Sequence, residues 1–376
     1  MTQILYKRSS NKLAKWWFAL DHNIIFALLL LAAFGLIMSF SASPYVAERI
    51  GLNSSYFYTK HLFFLVLALM IAIVTSLFSA QQIRVLSLLG FLGALCLVFM
   101  VLFMSAELKG AKRWLNIFGF SLQPSEFLKP FFIVLNAWFL SRKFVRQDYR
   151  YYTSSLVIFA VTICGLVLQP DIGMTLGFCA VWAVQIFLAA LPYIVVLLLA
   201  LLGLVAVLVL YFSFAHVRFR IDMFLFSGDR PTYQVEKSLE AIRSGGLWGK
   251  GLFEGEVKTT LPDAHTDFIF AAMFEELGLI MSFVVLAGYF FIFYRIWLKF
   301  KFSEDQFAKL VLAGIAMQLA FQILVNVGGN LNLVPTKGTT LPLLSYGGSA
   351  MLATGILFGI LLKFTQDNFG HYKRNQ

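Results

Sequence analysis

Residues 24–42 read IIFALLLLAAFGLIMSFSA. The stretch carries no charge and is long enough to cross the hydrocarbon core of a bilayer as a helix, which takes about 20 residues. Similar runs recur near 62–78, 83–105, 127–140, 154–168, 173–189, 194–214, 268–297, 310–327 and 344–362. The pattern predicts an all-α, polytopic membrane helix bundle with about ten spans. Composition agrees: the 376 residues are 60% hydrophobic and 13% charged, with a mean hydropathy of +0.80, outside the soluble globular range. The abundance of Phe, Tyr and Trp excludes a disordered chain.

With an even number of spans both termini share a side. Lys7, Arg8, Lys12 and Lys15, then Arg142, Lys143, Arg146 and Arg150, then Arg295, Lys299, Lys301 and Lys309, then Lys363, Lys373 and Arg374 all fall on it. Cytoplasmic loops are enriched in such residues, so both ends are expected in the cytoplasm. The parse is a basic amino terminus (1–23), one membrane domain (24–363) and a short tail (364–376), with 215–267 as a long extracytoplasmic loop between the seventh and eighth helices. The net charge of +11 lies beside apolar runs, which suits lipid headgroups and gives no reason for a nucleic-acid partner. Cys96, Cys164 and Cys179 lie within apolar runs without metal-ligand spacing and are expected to be packing residues.

Ionisable groups are costly at membrane depth, so the informative ones gather at outward helix ends. Four segments hold them. The first is Lys109-Gly-Ala-Lys-Arg-Trp114 with Gln123-Pro-Ser-Glu-Phe-Leu-Lys129. Glu126 and Lys129 stand three apart on one helix face and can pair; capping by Ser125 and a snorkelling Lys129 account for the same residues. The second is Gln169-Pro-Asp-Ile-Gly173, where Asp171 is placed to cap the next helix. The third holds Gly245-Gly-Leu-Trp-Gly-Lys-Gly251 and Leu261-Pro-Asp-Ala-His-Thr-Asp-Phe-Ile-Phe270. Its glycines could let backbone approach a bulky ligand, and Lys250 could meet an anionic headgroup. Asp267 stands just before an apolar helix bearing Glu275 and Glu276, where it could serve merely as an N-cap. The fourth, Val334 to Ser349, is irregular and polar between the last two helices; such backbone needs burial in protein or a wet cavity. No metal-ligand cluster or nucleophile elbow accompanies them, so chemistry rests on carboxylates, lysines and arginines.

At these segments the chain closely resembles the SEDS family of bacterial cell-wall proteins, the FtsW/RodA/SpoVE group. The matching residues are Gly110, Arg113, Trp114, Gln123 to Glu126, Lys129, Gln169 to Asp171, Gly245, Gly246, Gly249, Gly251, Leu261 to Phe270, Glu275 to Gly278 and Leu341 to Ser349. The resemblance covers about Asp21 to Lys363. Ser39, Ser41 and Ser43, with Pro335-Thr-Lys-Gly338, resemble the division branch, FtsW, more than the elongation branch, RodA. Met281, Asp263 and Asn332 depart from the family pattern.

The resemblance implies a peptidoglycan glycosyltransferase that polymerises lipid II into glycan on the outer face of the inner membrane during septal wall synthesis. It would work with a class B penicillin-binding protein and other divisome proteins, with Asp267 as catalytic carboxylate. Substrate would be held by Arg113, Trp114, Gln123, Ser125, Glu126, Lys129, Gly245, Gly246, Lys250, His265, Thr266, Ser345 and Tyr346. Forming a glycosidic bond from a pyrophosphate-linked donor asks for a base at the acceptor hydroxyl and positive charge at the leaving group. Asp267 suits the first role. Arg113, Lys129, Lys250 or Arg243 suit the second, with a divalent cation such as Mg or Mn as a further option. A lipid II flippase, or a structural recruiter of the transpeptidase, would show similar charged helix ends. Gly314, Gly355 and Gly359 offer small-residue faces either to a partner helix or to packing within the bundle.

Overall fold

The computed structural model describes residues 11–104, 112–117, 120–146, 150–190, 233–335 and 337–366, with isolated positions between 201 and 222. The expected helix at 194–214 and the first part of the 215–267 segment lie outside the described residues. So do Lys109, Gly110, the first ten residues and most of the tail.

An amphipathic helix α1 (Lys12–Ala19) precedes α2 (His22–Arg49), so the basic terminus and the first span are separate elements. Then come α3 (Tyr56–Leu77), α4 (Ala80–Met104), a hairpin of β1 (Leu115–Ile117) and β2 (Phe120–Leu122), α5 (Pro124–Arg146), α6 (Arg150–Leu168) and α7 (Ile172–Leu188). Beyond them lie α8 (Tyr233–Gly245), α9 (Val257–Thr260), α10 (Ile269–Phe302), α11 (Gln306–Asn330) and α12 (Gly348–Phe364). The described apolar runs are helical over most of their length, with exceptions at their ends. The bundle is that of a multi-pass membrane protein: large apolar side chains such as Phe26, Phe63, Leu89, Phe283 and Phe290 face outward, as lipid contact permits and water does not. Cys96 and Cys164 are also exposed on this outer surface, so they are not the packing residues expected.

Small residues decide the closest approaches. A Cβ on Gly355 would lie 2.5 Å from the Ala68 carbonyl oxygen, and one on Gly359 would lie 2.7 Å from that of Ala72, so α12 is pressed against α3. A Cβ on Gly314 would meet the Gln185 side chain at 2.6 Å. All three glycines therefore serve packing inside the bundle, and the partner-facing option for them is corrected. At mid-bundle, Asn136 donates to Gln185 (2.8 Å), Ser155 to Asn136 (2.5 Å) and Trp182 to Ser155 (3.1 Å), tying α5, α6 and α7. Such bonds are specific where water offers no alternative partner.

The two ends of the bundle differ. At one, Asp21 caps α2 and takes two bonds from Arg295 (2.6 and 3.0 Å), while Trp16 and Gln366 both donate to Ser76. The other end carries α8, α9 and the polar segments. There α10 is broken at Gly278, which has φ +72°. Residues 246–251 fill the break: Lys250 and Gly251 N–H donate to the carbonyls of Glu275 and Glu276, and Leu279 and Ile280 N–H donate to those of Gly246 and Leu247. The described part of the long loop is thus folded onto α10. Buried Val235, Ser238, Ala241 and Gly245 on α8 follow helical spacing.

Candidate active site

Asp267 ends the connection between α9 and α10. The first helical residue is Ile269 and the N-cap is Phe268, without a side-chain cap; Asn330 Oδ1 instead accepts the Ala271 N–H at 3.0 Å. Asp267 is therefore not the residue at the cap. Its carbonyl accepts from the amides of both Asn326 and Asn330, each at 3.0 Å. Its carboxylate lies against Gly338, where a Cβ would stand 2.6 Å from Oδ2. Upstream, Ser345 donates to the Thr266 carbonyl (2.6 Å) and Tyr346 N–H to the His265 carbonyl (2.9 Å). The irregular stretch before α12 thus runs beside the Asp267 loop and fixes it. Its first residues, Leu344 to Gly347, are expected in the last span but are non-helical because they make these bonds.

Next to Gly338 is Lys337, and from it a charge cluster opens. Lys337 Nζ lies 3.4 Å from Asp171 Oδ1, and Arg113 Nε 3.6 Å from Asp171 Oδ2. Arg113 also donates to the Gln169 and Pro170 carbonyls. Glu126 and Lys129 form a buried pair at 2.7 Å, as their three-residue spacing allows, and both act electrostatically on Lys337. Three cations and two carboxylates leave the cluster net positive. Burial pushes the Lys337 ammonium below the usual lysine range. Burial acts to raise the Asp171 carboxyl, but Lys337, Arg113 and the Met174 N–H outweigh it and hold Asp171 below the usual carboxylate range. Asp171 does cap α7, accepting from Met174 at 3.2 Å, and is also the anion that gathers Arg113 and Lys337. Gln123 N–H donates to Ser349 at 2.9 Å, joining the start of α5 to α12. Ser125 Oγ is buried without a hydrogen bond, and Trp114 is exposed.

His265 is buried in an aromatic nest, its ring 4.4 Å from Phe57 and 5.5 Å from Tyr346 between centroids. Burial pushes its pKa down to about 4, so the imidazole is neutral near pH 7. Burial likewise raises the Tyr346 hydroxyl to about 12.

The glycine segment does other work than expected. A Cβ on Gly245 would lie 2.1 Å from the Phe274 carbonyl oxygen, so its close backbone partner is α10 rather than a ligand. Gly246, with φ +57°, has open space around it. Lys250 sits 3.8 Å from Glu275 and 3.7 Å from Glu256, already facing carboxylates, and Arg243 shares a surface cleft with Glu236 and Glu240. Of the four expected cations, only Arg113 and Lys129 join Lys337. Glu275 accepts the Val257 and Lys258 N–H groups, each at 2.8 Å, and Glu276 forms a fully buried pair with Lys258, shared with Ser41. These acids hold the outer segment on α10.

Lys337 lies in the Pro335–Gly338 stretch of the fourth segment but has no role assigned to it there, and Asn326, Asn330 and Lys258 carry no local motif that marks them as site residues. The only signal is polarity in apolar context, and their partners lie far away in sequence. Among the described residues no three His, Cys, Asp or Glu side chains converge for a metal ion. Asp171 and Glu126 are already paired with cations.

A membrane helix bundle with a carboxylate loop and a net-positive cluster at one end defines a class: polytopic membrane proteins with an ionisable site at a bundle mouth. The family described as cell cycle protein, FtsW/RodA/SpoVE, matches residues 21–368, and the chain belongs to it. The probable peptidoglycan glycosyltransferase FtsW of Caulobacter vibrioides is 34% identical over 372 residues, covering 99% of this chain and 95% of that one. The one from Escherichia coli O6:H1 is 32% identical, over 91% of this chain and 85% of its own. Among solved structures, a chain from work on structural coordination of polymerization and crosslinking by a peptidoglycan synthase complex superposes with a TM-score of 0.76. It shares 26% identity over 93% of this chain and 98% of that one. The Thermus thermophilus rod shape determining protein RodA superposes with a TM-score of 0.69 at 26% identity, over 93% of this chain and 97% of that one.

Proposed function

We propose that this chain is a peptidoglycan glycosyltransferase that polymerises lipid II during septal wall synthesis, with Asp267 as the base at the acceptor hydroxyl. One observation carries the reading: the Asp267 carboxylate rests on Gly338, and the adjoining Lys337 belongs to the net-positive cluster with Arg113 and Lys129. The base thus rests on the residue next to the one that carries a cation of the cluster, which would serve a departing pyrophosphate. A base so placed contributes about 10² to 10⁴ in rate. His265, Thr266, Ser345 and Tyr346 act through the loop that carries Asp267, while Arg113, Lys129 and Lys337 take the leaving group. The names of the relatives support the activity, and the synthase-complex relative supports a class B penicillin-binding protein as partner.

The charge pattern supports the inner membrane as location, with residues 24–363 as one domain, termini in the cytoplasm and Asp267 on the outer side: Arg295, Lys299, Lys301 and Lys363 stand toward the end opposite the site. Purified protein is given lipid II in detergent, where no transbilayer step exists. The wild type makes glycan, and Asp267→Asn, which keeps the shape and removes the base, does not. Glycan synthesis by Asp267→Asn at the wild-type rate refutes the base; no synthesis by wild type, alone or with its transpeptidase, favours a flippase or recruiter.

A further inference from the structure

Asn326 and Asn330 stand one turn apart on α11, at 2% and 1% exposure, and both spend their amides on the Asp267 carbonyl. Asn326 bridges that carbonyl to the Thr339 carbonyl at 2.6 Å, one residue from the Gly338 that abuts the carboxylate. Asn330 joins the Asp267 carbonyl to the Asn326 carbonyl (2.8 Å) and accepts the Ala271 N–H of α10, while Ser238 of α8 donates to the Asn330 carbonyl at 2.9 Å. Each asparagine thus ties Asp267 to a different wall: Asn326 to the Lys337–Thr339 segment, Asn330 to α8 and α10. The orientation of the Asn326 amide is not ambiguous, because a flipped oxygen would face two carbonyls. That leaves Asn326 Oδ1 buried without a partner.

We propose that Asn326 and Asn330 are positioning residues for catalysis, which fix the backbone of Asp267 so that its carboxylate meets the acceptor hydroxyl beside Lys337. The inference rests on Asp267 being the base. Neither asparagine touches the reacting atoms; both act through the peptide that carries the carboxylate. Loss of one donor lets that peptide relax, and a displacement of about 1 Å costs about 10²-fold in rate.

The test is steady-state polymerisation of lipid II by the purified full chain, with rates taken per monodisperse protein. Asn326→Asp and Asn330→Asp keep shape and replace the donor by an acceptor that faces the Asp267 carbonyl. Each lowers kcat by about 10²-fold and leaves KM within about threefold, because substrate contacts are intact. A wild-type kcat with only a lowered melting temperature means the asparagines merely stabilise the fold, and overturns the inference. Should Asn326→Asp give no monodisperse protein, Asn326→Ser decides, its shorter donor reaching at most one of the two carbonyls: reduced kcat at unchanged KM supports the role, wild-type kcat refutes it. Asp267→Asn run alongside separates the two readings. If it polymerises, the base assignment fails; if it is inactive while the asparagine variants run at wild-type kcat, the positioning role alone fails.

Discussion

Gly338→Ala tests the geometry of the site with a single methyl group. The glycine is exposed and not in the left-handed region, so alanine strains no backbone and fills no core. Its Cβ would stand 2.6 Å from Asp267 Oδ2, whereas ordinary contact begins near 3.4 Å. The carboxylate, or the irregular segment that carries residue 338, must give way by about 0.8 Å, the difference of those two distances. The Asp267 carbonyl is pinned by two asparagine amides, so the side chain takes up most of the movement. Misplacement on that scale costs about 10- to 10²-fold in kcat. Initial rates of glycan formation from lipid II, with a thermal melt of the same sample, measure both terms. A kcat within twofold of wild type at unchanged stability would mean that the carboxylate need not sit against Gly338 to work, and the account of the site would be wrong.

Lys258→Met strands the Glu276 carboxylate in the interior and should cost about 3–5 kcal/mol, seen as a lower melting temperature; Lys258→Met with Glu276→Leu should recover much of it. An unchanged melt for the single variant would refute this. Gly355→Leu should yield little folded protein, since a Cβ already lies 2.5 Å from backbone that cannot turn aside, and normal expression of a monodisperse variant would count against the packing described. His265 has its folded pKa lowered to about 4 from 6.5, so the unfolded chain binds the extra proton first. Its contribution is whole above pH 6.5 and is lost as pH falls toward 4, at most about 3 kcal/mol, so melting temperature should fall over that window and less steeply in His265→Phe. Equal slopes for both proteins would remove His265 as the cause.

What the sequence made legible was local. Apolar run length marks α2 and α4 because the bilayer imposes it, and the three-residue spacing of Glu126 and Lys129 puts them together on α5 whatever the rest of the chain does. Asp267 could be picked out by motif, although the same residues equally suggested a helix cap, and only the start of α10 at Ile269 separates the two. Lys337 and Asp171 lie far apart in the chain, as do Asn326 and Asp267; no periodicity reports such a meeting. The glycines left their partners open for a physical reason. A residue without Cβ signals that something comes close, but not what: for Gly245 it is the Phe274 carbonyl, and for Gly355 that of Ala68.

The break in α10 also constrains how the chain is made. Four backbone groups around Gly278 find partners only in residues 246–251, and a helix entering lipid with such groups bare is penalised by several kcal/mol for each. The ribosome delivers 246–251 before 275–280, so the complement to the break has been synthesised by the time the broken helix is released for insertion. A circular permutant that placed α8 and the glycine segment after α10 could form the same hydrogen bonds at the break, yet it would have to insert the helix with the groups near its start still bare.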